Sequence, residues 1–445
     1  CNIMLRDSAH IQEFEAEWRN RKAKRSGEGV YEPLYTMEDA DTAIKLLHPC
    51  DYDQKIVLSD GIEVRFNDIG HLLGSASIEV WITEDGITKK IVFSGDVGNI
   101  NQPILKDPQP VKGADYIVIE STYGDRRHGD GAPDYVGEFT RILRETFQKG
   151  GNVVIPSFAV GRTQELLYFI REIKEKNLLP EYAGFQVYVD SPLAIEATNV
   201  FNKNVKSCFD GEAMALVEKG INPLLFPGLK TTITSDESKM INFDEKPKVI
   251  ISASGMCEAG RIRHHLKHNL WRPECTILFV GYQANGTLGR ILVEGETREV
   301  RLFGEPIEIR AQIRQLAGLS GHADKNGLIS WVTAFEEKPR KVFVVHGEDS
   351  VTISFAECLK VEHGIQAYAP YSGTEFDLAS GKFLFEASPI PVARKSKKTV
   401  SDVFARLVAA GQRLLNVIYK NEGMANKDLA KFADQVISLC DKYDK

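Results

Sequence analysis

Residues 151–176 read GNVVIPSFAVGRTQELLYFIREIKEK. Val153 to Phe158 is a short apolar run that suits a strand covered on both faces, and from Arg162 to Lys176 the apolar positions recur at helical spacing. A strand feeding a helix is the repeating unit of a parallel sheet. The rhythm extends both ways. Upstream, a helix is expected from Asp134 to Lys149, stopped by Gly150-Gly151. Downstream, strands are expected at Phe185–Asp190, at Lys248–Ala253 with a helix after it, and at Thr276–Gly281. Gly151 to Thr163 does not make a nucleotide loop: there is no GxxxxGK[ST] register, and Arg162 stands where lysine is needed.

Outside this block the period changes to two. Ile56–Leu58, the Asp60-Gly61 turn and Ile62, Val64 and Phe66 predict one hairpin; Ile78, Val80 and Ile82, the Asp85-Gly86 turn and Ile91–Phe93 predict another. Tyr116–Ile119 reads as a further buried strand. After about residue 290 strands return at Arg298–Phe303, Ile307–Ala311 and Lys341–Val345, with a helix near Lys325–Phe335. At the start, Ile11, Phe14 and Trp18 share one helical face, the basic run Arg19–Arg25 reads as a solvated face, and Thr36 with Asp39 forms a capping box for a helix ending near His48-Pro49. Residues 386–399 read as a linker. Two helical patterns follow, over about 400–421 and 425–442. Their apolar face (Val403, Phe404, Leu407, Leu414, Leu415) suits either packing on its own domain or a homodimer.

The chain has 445 residues, 43 % of them hydrophobic and 26 % charged, which suits a globular protein of about three units. Its formal charge of −7 excludes coating a polyanion by bulk charge, so any nucleic-acid site must be a local basic cleft. No apolar run approaches the roughly 18 residues that span a bilayer, so no membrane partner is expected. The seven cysteines are scattered without a CxxC pair, which argues against a disulfide framework or a cysteine zinc site and fits a reducing, cytoplasmic setting.

Five short segments place ligand-type or polar residues just after a strand, where loop-borne sites collect. They are Gly70-His71-Leu72-Leu73-Gly74-Ser75, Ser94-Gly95-Asp96-Val97-Gly98, Ile119-Glu120-Ser121-Thr122-Tyr123-Gly124, Ser320-Gly321-His322-Ala323-Asp324 and Val345-His346-Gly347-Glu348. Imidazoles and carboxylates gathered with one position left to water are what a hydrolytic zinc site needs. Asp324 and Glu348 read as turn caps. His264, His265 and His268, with Arg261, Arg263 and Lys267, lie on a helix expected to be solvated or to line a basic cleft.

Taken together, GHLLGS, FSGDVG, IESTYGDR, LSGHAD and VVHGE resemble the RNA-processing nucleases of the β-CASP family, which have a metallo-β-lactamase fold. PSFAVGRTQELL, DSPLA, SASGMCEAGR and QANGTLGR resemble the inserted β-CASP domain of its bacterial members. The likeness spans about residues 1–385. It implies an α/β fold: a metallo-β-lactamase αββα sandwich, incomplete at the N-terminus, carrying an inserted parallel α/β domain. The corresponding division is 1–125 and 316–385 for the lactamase halves, 126–315 for the insertion, 386–399 for the linker and 400–445 for the tail. It further implies two zinc ions, with His71 on the first, His346 on the second and Asp96 bridging them. His322 would donate a proton to the leaving oxygen, and Glu120 would orient it. Single-stranded RNA is the implied substrate, cut internally or from the 5′ end. Ser320, Arg162 at a helix N-terminus and Arg261 on the basic helix are candidate substrate-binding residues.

One departure is large. The family carries an HxHxDH motif upstream of GHxxGS, and here only His10 and His48 precede His71. Cys1 is therefore expected to be an internal residue of a longer parent, and these 445 residues are expected to hold zinc poorly and not to cleave RNA. The rival readings are a non-catalytic RNA-binding scaffold subunit, a DNA-directed β-CASP nuclease and a small-ester hydrolase. DNA-directed relatives typically carry valine where His346 stands, and small-molecule members lack the insertion.

Overall fold

The computed structural model describes residues 1–26, 31–127, 134–316, 319–390 and, in the tail, 407, 410–411, 414–415, 417–422 and 426–443. The chain divides into two compact units, Pro49–Pro389 and the two chain ends, Cys1–His48 with Ile390–Lys445.

Pro49–Pro389 is built on two large sheets. Among the described residues the first has seven strands, in the order Lys55–Ser59, Ile62–Asp68, Ala76–Glu84, Ile87–Phe93, Tyr116–Ile119, Lys341–Val344 and Ala367–Tyr368. The first four make an antiparallel meander, and from Ile87–Phe93 onward neighbours run parallel. The expected Asp85-Gly86 turn is present, with both residues left-handed (φ 49° and 76°), as a two-residue hairpin of this hand requires. On one face, Ile117, Ile119, Val342 and Val344 pack with Leu328 and Trp331 of helix Lys325–Thr333 and Phe355 and Leu359 of helix Asp349–His363. On the other, Ile91, Tyr116 and Phe343 are covered by Phe376 and Phe383 of the hairpin Glu375–Asp377/Lys382–Phe385.

The second sheet is the one the opening stretch predicts. Its six strands lie in the order Gln312–Gln315, Thr276–Phe279, Val153–Pro156, Lys248–Ser252, Gln186–Val189 and Leu229–Thr231, all parallel. Val153–Pro156 and Lys248–Ser252 are buried along their whole length, which is why Val153–Ile155 and Val249–Ile251 read as apolar runs. Helices Tyr135–Gln148 and Arg162–Glu175 cover one face with Phe139, Leu143, Leu166 and Ile170; helix Ile262–Asn269 covers the other with Ile262 and Leu266. Asp134 caps its helix by accepting from the Gly137 N–H, and Gly150 beyond the end is left-handed.

Some expectations need correction. The strand expected at Ile307–Ala311 is instead the short arm Glu305–Glu308 of a hairpin, followed by a separate strand at Gln312–Gln315. Its largely polar sequence hid it. Helix Met37–Lys45 has the capping box but stops before His48. Among the described side chains of helix Asn2–Ser26, Ala9 and Ala16 are buried while Ile11 and Phe14 of the expected face are exposed. Its Arg6 pairs with Asp41 at 2.7 Å. Most of the linker and of the first tail pattern, including Val403 and Phe404, lies outside the described residues; Leu407 and Leu415 are exposed, and the second pattern is helix Asn426–Tyr443. All seven cysteines are free, and among the described residues no helix is long and apolar enough to cross a membrane.

Candidate metal centre

Four site loops leave the same edge of the first sheet. Strands Ile62–Asp68, Ile87–Phe93, Tyr116–Ile119 and Lys341–Val344 point in one direction, and at their C-terminal ends come His71, Asp96, Glu120 and His346. His322 arrives on a loop that bridges to Gly98. Backbone contact sets their spacing. Gly98 donates to the Ile69 carbonyl at 2.9 Å, and a Cβ on Gly98 would lie 2.3 Å from the Gly70 carbonyl carbon, so only glycine lets these two loops meet. Ala323 donates to the Val97 carbonyl at 2.8 Å, which fixes His322 beside them.

At the centre stands the Asp96 carboxylate. One oxygen lies 3.7 Å from His71 Nε2 and the other 3.4 Å from His346 Nδ1. His71 places Nδ1 3.0 Å from the Gly321 carbonyl, which only accepts, so Nδ1 carries the proton and Nε2 is a bare lone pair facing Asp96. Burial, with the neighbouring His322, pushes His71 below the ordinary histidine value and keeps it neutral. A lone pair facing a carboxylate is repulsive unless a cation lies between them. Zinc with bonds of about 2.0–2.1 Å in tetrahedral geometry sets its donors about 3.4 Å apart, close to both gaps. Donor atoms of His71, Asp96 and His322 lie within 4.8 Å of one another, as do those of Asp96, Glu120 and His346, so ligand-type groups that could hold a metal flank Asp96 on both sides.

Behind this centre, Glu120 is 2 % exposed and accepts from the Val97 and Thr122 N–H groups, at 2.5 and 3.3 Å. His322 Nδ1 lies 3.2 Å from both its oxygens. Burial raises the Glu120 carboxyl, but its hydrogen bonds, that from His322 foremost, outweigh burial and hold it below the ordinary value. Burial likewise works against the His322 cation, but the bond and charge of Glu120 more than compensate, so His322 titrates above its ordinary value. The His322 ring lies 4.4 Å from that of His71 and edge-on to Tyr123 at 5.9 Å.

The other candidates are spread out. Ser320 accepts from the His322 N–H at 3.2 Å and so shapes that loop. Arg162 is only 10 % exposed and bridges to buried Glu165. Arg261 donates to Asp190 at 2.6 Å and to the carbonyls of Thr232 and Ile233. Neither arginine offers a free guanidinium to a phosphate. Asp324 caps its helix through the Gly327 N–H, as expected, whereas Glu348 occupies a cap position without a capping bond. The solvated-helix expectation holds for His264 and His268 but not for His265. That ring is fully buried and lies 2.6 Å from Asp190, which also accepts from Ser238 and Thr232 at 2.5 Å each. The signal was available: Ile262, His265, Leu266 and Asn269 follow the helical period and form the buried face.

Comparison with known proteins agrees with this fold. Residues 163–292 match the Beta-Casp domain, and residues 306–370 match the Zn-dependent metallo-hydrolase RNA specificity domain. The chain is 36 % identical over 328 residues to Ribonuclease TTHA0252 of Thermus thermophilus, covering 74 % of this chain and 72 % of that protein. It is 33 % identical over 342 residues to the RNase J-like protein of Methanocaldococcus jannaschii, covering 76 % of each. Transcription termination factor FttA of the same archaeon is 30 % identical over 358 residues, 78 % of this chain and 54 % of that protein.

Proposed function

The chain belongs to the β-CASP family of metallo-β-lactamase-fold RNA nucleases, and from that premise we propose that it acts on single-stranded RNA at the centre around Asp96. The observation that carries this reading is the Asp96 carboxylate set between two imidazoles, with the Glu120–His322 pair beside it. His71 and Asp96 would hold one zinc ion, and Asp96 and His346 a second. Zinc bound there would acidify a water and neutralise phosphate charge. His322, whose pKa Glu120 raises, would donate its proton to the oxygen that leaves when the phosphodiester bond breaks. Glu120 holds the ring in place and supplies the counter-charge. The termination-factor relatives favour transcripts as the class of RNA. The cysteine pattern favours a cytoplasmic setting.

With His322 and Glu120 bonded to each other, two donors remain for each ion, one fewer than catalytic zinc sites ordinarily use, so these 445 residues are expected to hold zinc weakly. The test is an assay of the chain with labelled single-stranded RNA and matched DNA at micromolar zinc. It is expected to bind the RNA in preference to the DNA and to leave it intact. Preference for DNA would contradict the RNA reading, and zinc-dependent cleavage would contradict the ligand count.

A further inference from the structure

Two aromatic rings at the mouth of the second sheet take no part in the centre described above. Phe158 and Tyr282 are each 44 % exposed, and among the described residues neither stacks on another aromatic ring. They follow adjacent parallel strands, Val153–Pro156 and Thr276–Phe279, in which Val154 pairs with Ile277. Both lie beyond that pair at the C-terminal edge, and one contact links them: Gly255, packed on the Phe158 ring, accepts from the side chain of Gln283, the residue after Tyr282, at 3.1 Å. This is the edge at which open parallel sheets receive their ligands. Gly255 packs closely against one side of the Phe158 ring, where a Cβ would lie only 3.1 Å away, and the ring's exposed remainder faces solvent.

The rings join the metal centre by two routes. Phe158 lies on the loop that ends at Gly161, and Gly161 is packed against Leu72, next to His71. From the other side, His322 meets Tyr123, and Arg126 lies over the Tyr123 ring at 5.2 Å. Arg126 pairs with Asp125 through Nε at 3.0 Å, is about half exposed, and lies within electrostatic reach of Tyr282. Exposed rings flanked by a cation suit unpaired bases, each of which offers a face to stack, and a phosphate between them. A duplex, with its bases already stacked, offers no such faces.

We propose that Phe158 and Tyr282 form a stacking platform for bases of the RNA strand next to the phosphate held at Asp96, with Arg126 as its cationic partner. The proposal rests on the RNA reading above. It assigns sequence-tolerant grip to the inserted domain and exclusion of paired RNA to the platform.

The test is fluorescence anisotropy without zinc, using a short mixed-sequence single-stranded RNA and an abasic ribose-phosphate oligomer of equal length. Phe158→Ala and Tyr282→Ala are each expected to weaken RNA binding on the order of tenfold and to leave abasic binding unchanged. Phe158→Trp is expected to restore parental affinity. Phe158→Leu, which keeps an apolar contact on Gly255, guards against loss of fold, and a thermal midpoint is recorded for each variant. Parental RNA affinity in both alanine variants would overturn the platform, as would equal loss on both probes. Failure of the parent chain to bind RNA would instead overturn the functional reading on which the platform depends.

Discussion

His71 and His322 lie with their rings 4.4 Å apart, yet their surroundings drive them in opposite directions. Burial, with the charge of neighbouring His322, pushes His71 below the ordinary histidine value despite its bond to the Gly321 carbonyl, whereas Glu120 draws His322 above it despite burial. Neighbouring titratable groups pushed apart mark out separate tasks: a neutral imidazole binds metal, a charged one gives up a proton. In a protein with both zinc positions filled, His322→Ala is therefore expected to cut RNA about a hundredfold to ten-thousandfold more slowly while binding RNA as before. Single-turnover rates would show it, and a parental rate would remove His322 from the chemistry. At this scale the sequence was partly legible. The glycines around His71, Asp96 and His322 announced tight loops. The left-handed backbone of His346 (φ 50°) did not show, because it is imposed by Val345 bonding to Ile119 and Ser121 bonding to the His346 carbonyl across the sheet.

At the level of elements, the inserted sheet is tied together at Asp190. This fully buried carboxylate follows strand Gln186–Val189 and accepts from His265, Ser238, Thr232 and Arg261. Burial acts to raise its pKa, but those bonds prevail and hold it far below the ordinary carboxylate range. The sign follows from that depression. Its stabilisation is fully present above the unfolded value of about 3.9 and is lost as pH falls from there toward the folded value. Asp190→Asn is expected to cost about 3 kcal/mol at neutral pH and to flatten the decline in stability as pH falls below about 4. Urea midpoints across that range would check it; an unchanged acid slope would contradict it. Strands and helices with a clear period were readable here, from Val153–Pro156 to helix Arg162–Glu175. The network was not, since Asp190, Thr232, Ser238, Arg261 and His265 meet only once the parallel order of strands is set. The same network takes up Arg261, and Glu165 takes up Arg162, so charge at those positions could not be read as charge available to RNA.

Across the whole molecule, the metal centre draws on segments as far apart as His71 and His346. No local pattern reveals such a centre; only the ordered set of five segments did, through its resemblance to a family. Parallel strands then explain why the segments converge, since each site residue follows a strand whose end lies on the same edge. The net charge of −7 is consistent with this arrangement, because binding depends on a local cleft and not on the overall field. The central claim is that one carboxylate serves two metal positions. Calorimetric zinc titration of the parent chain and of Asp96→Ala, His71→Ala and His346→Ala tests it most directly. Weak uptake of two ions by the parent is expected, with both lost in Asp96→Ala and one retained in each histidine variant. Undiminished uptake by Asp96→Ala would contradict the account.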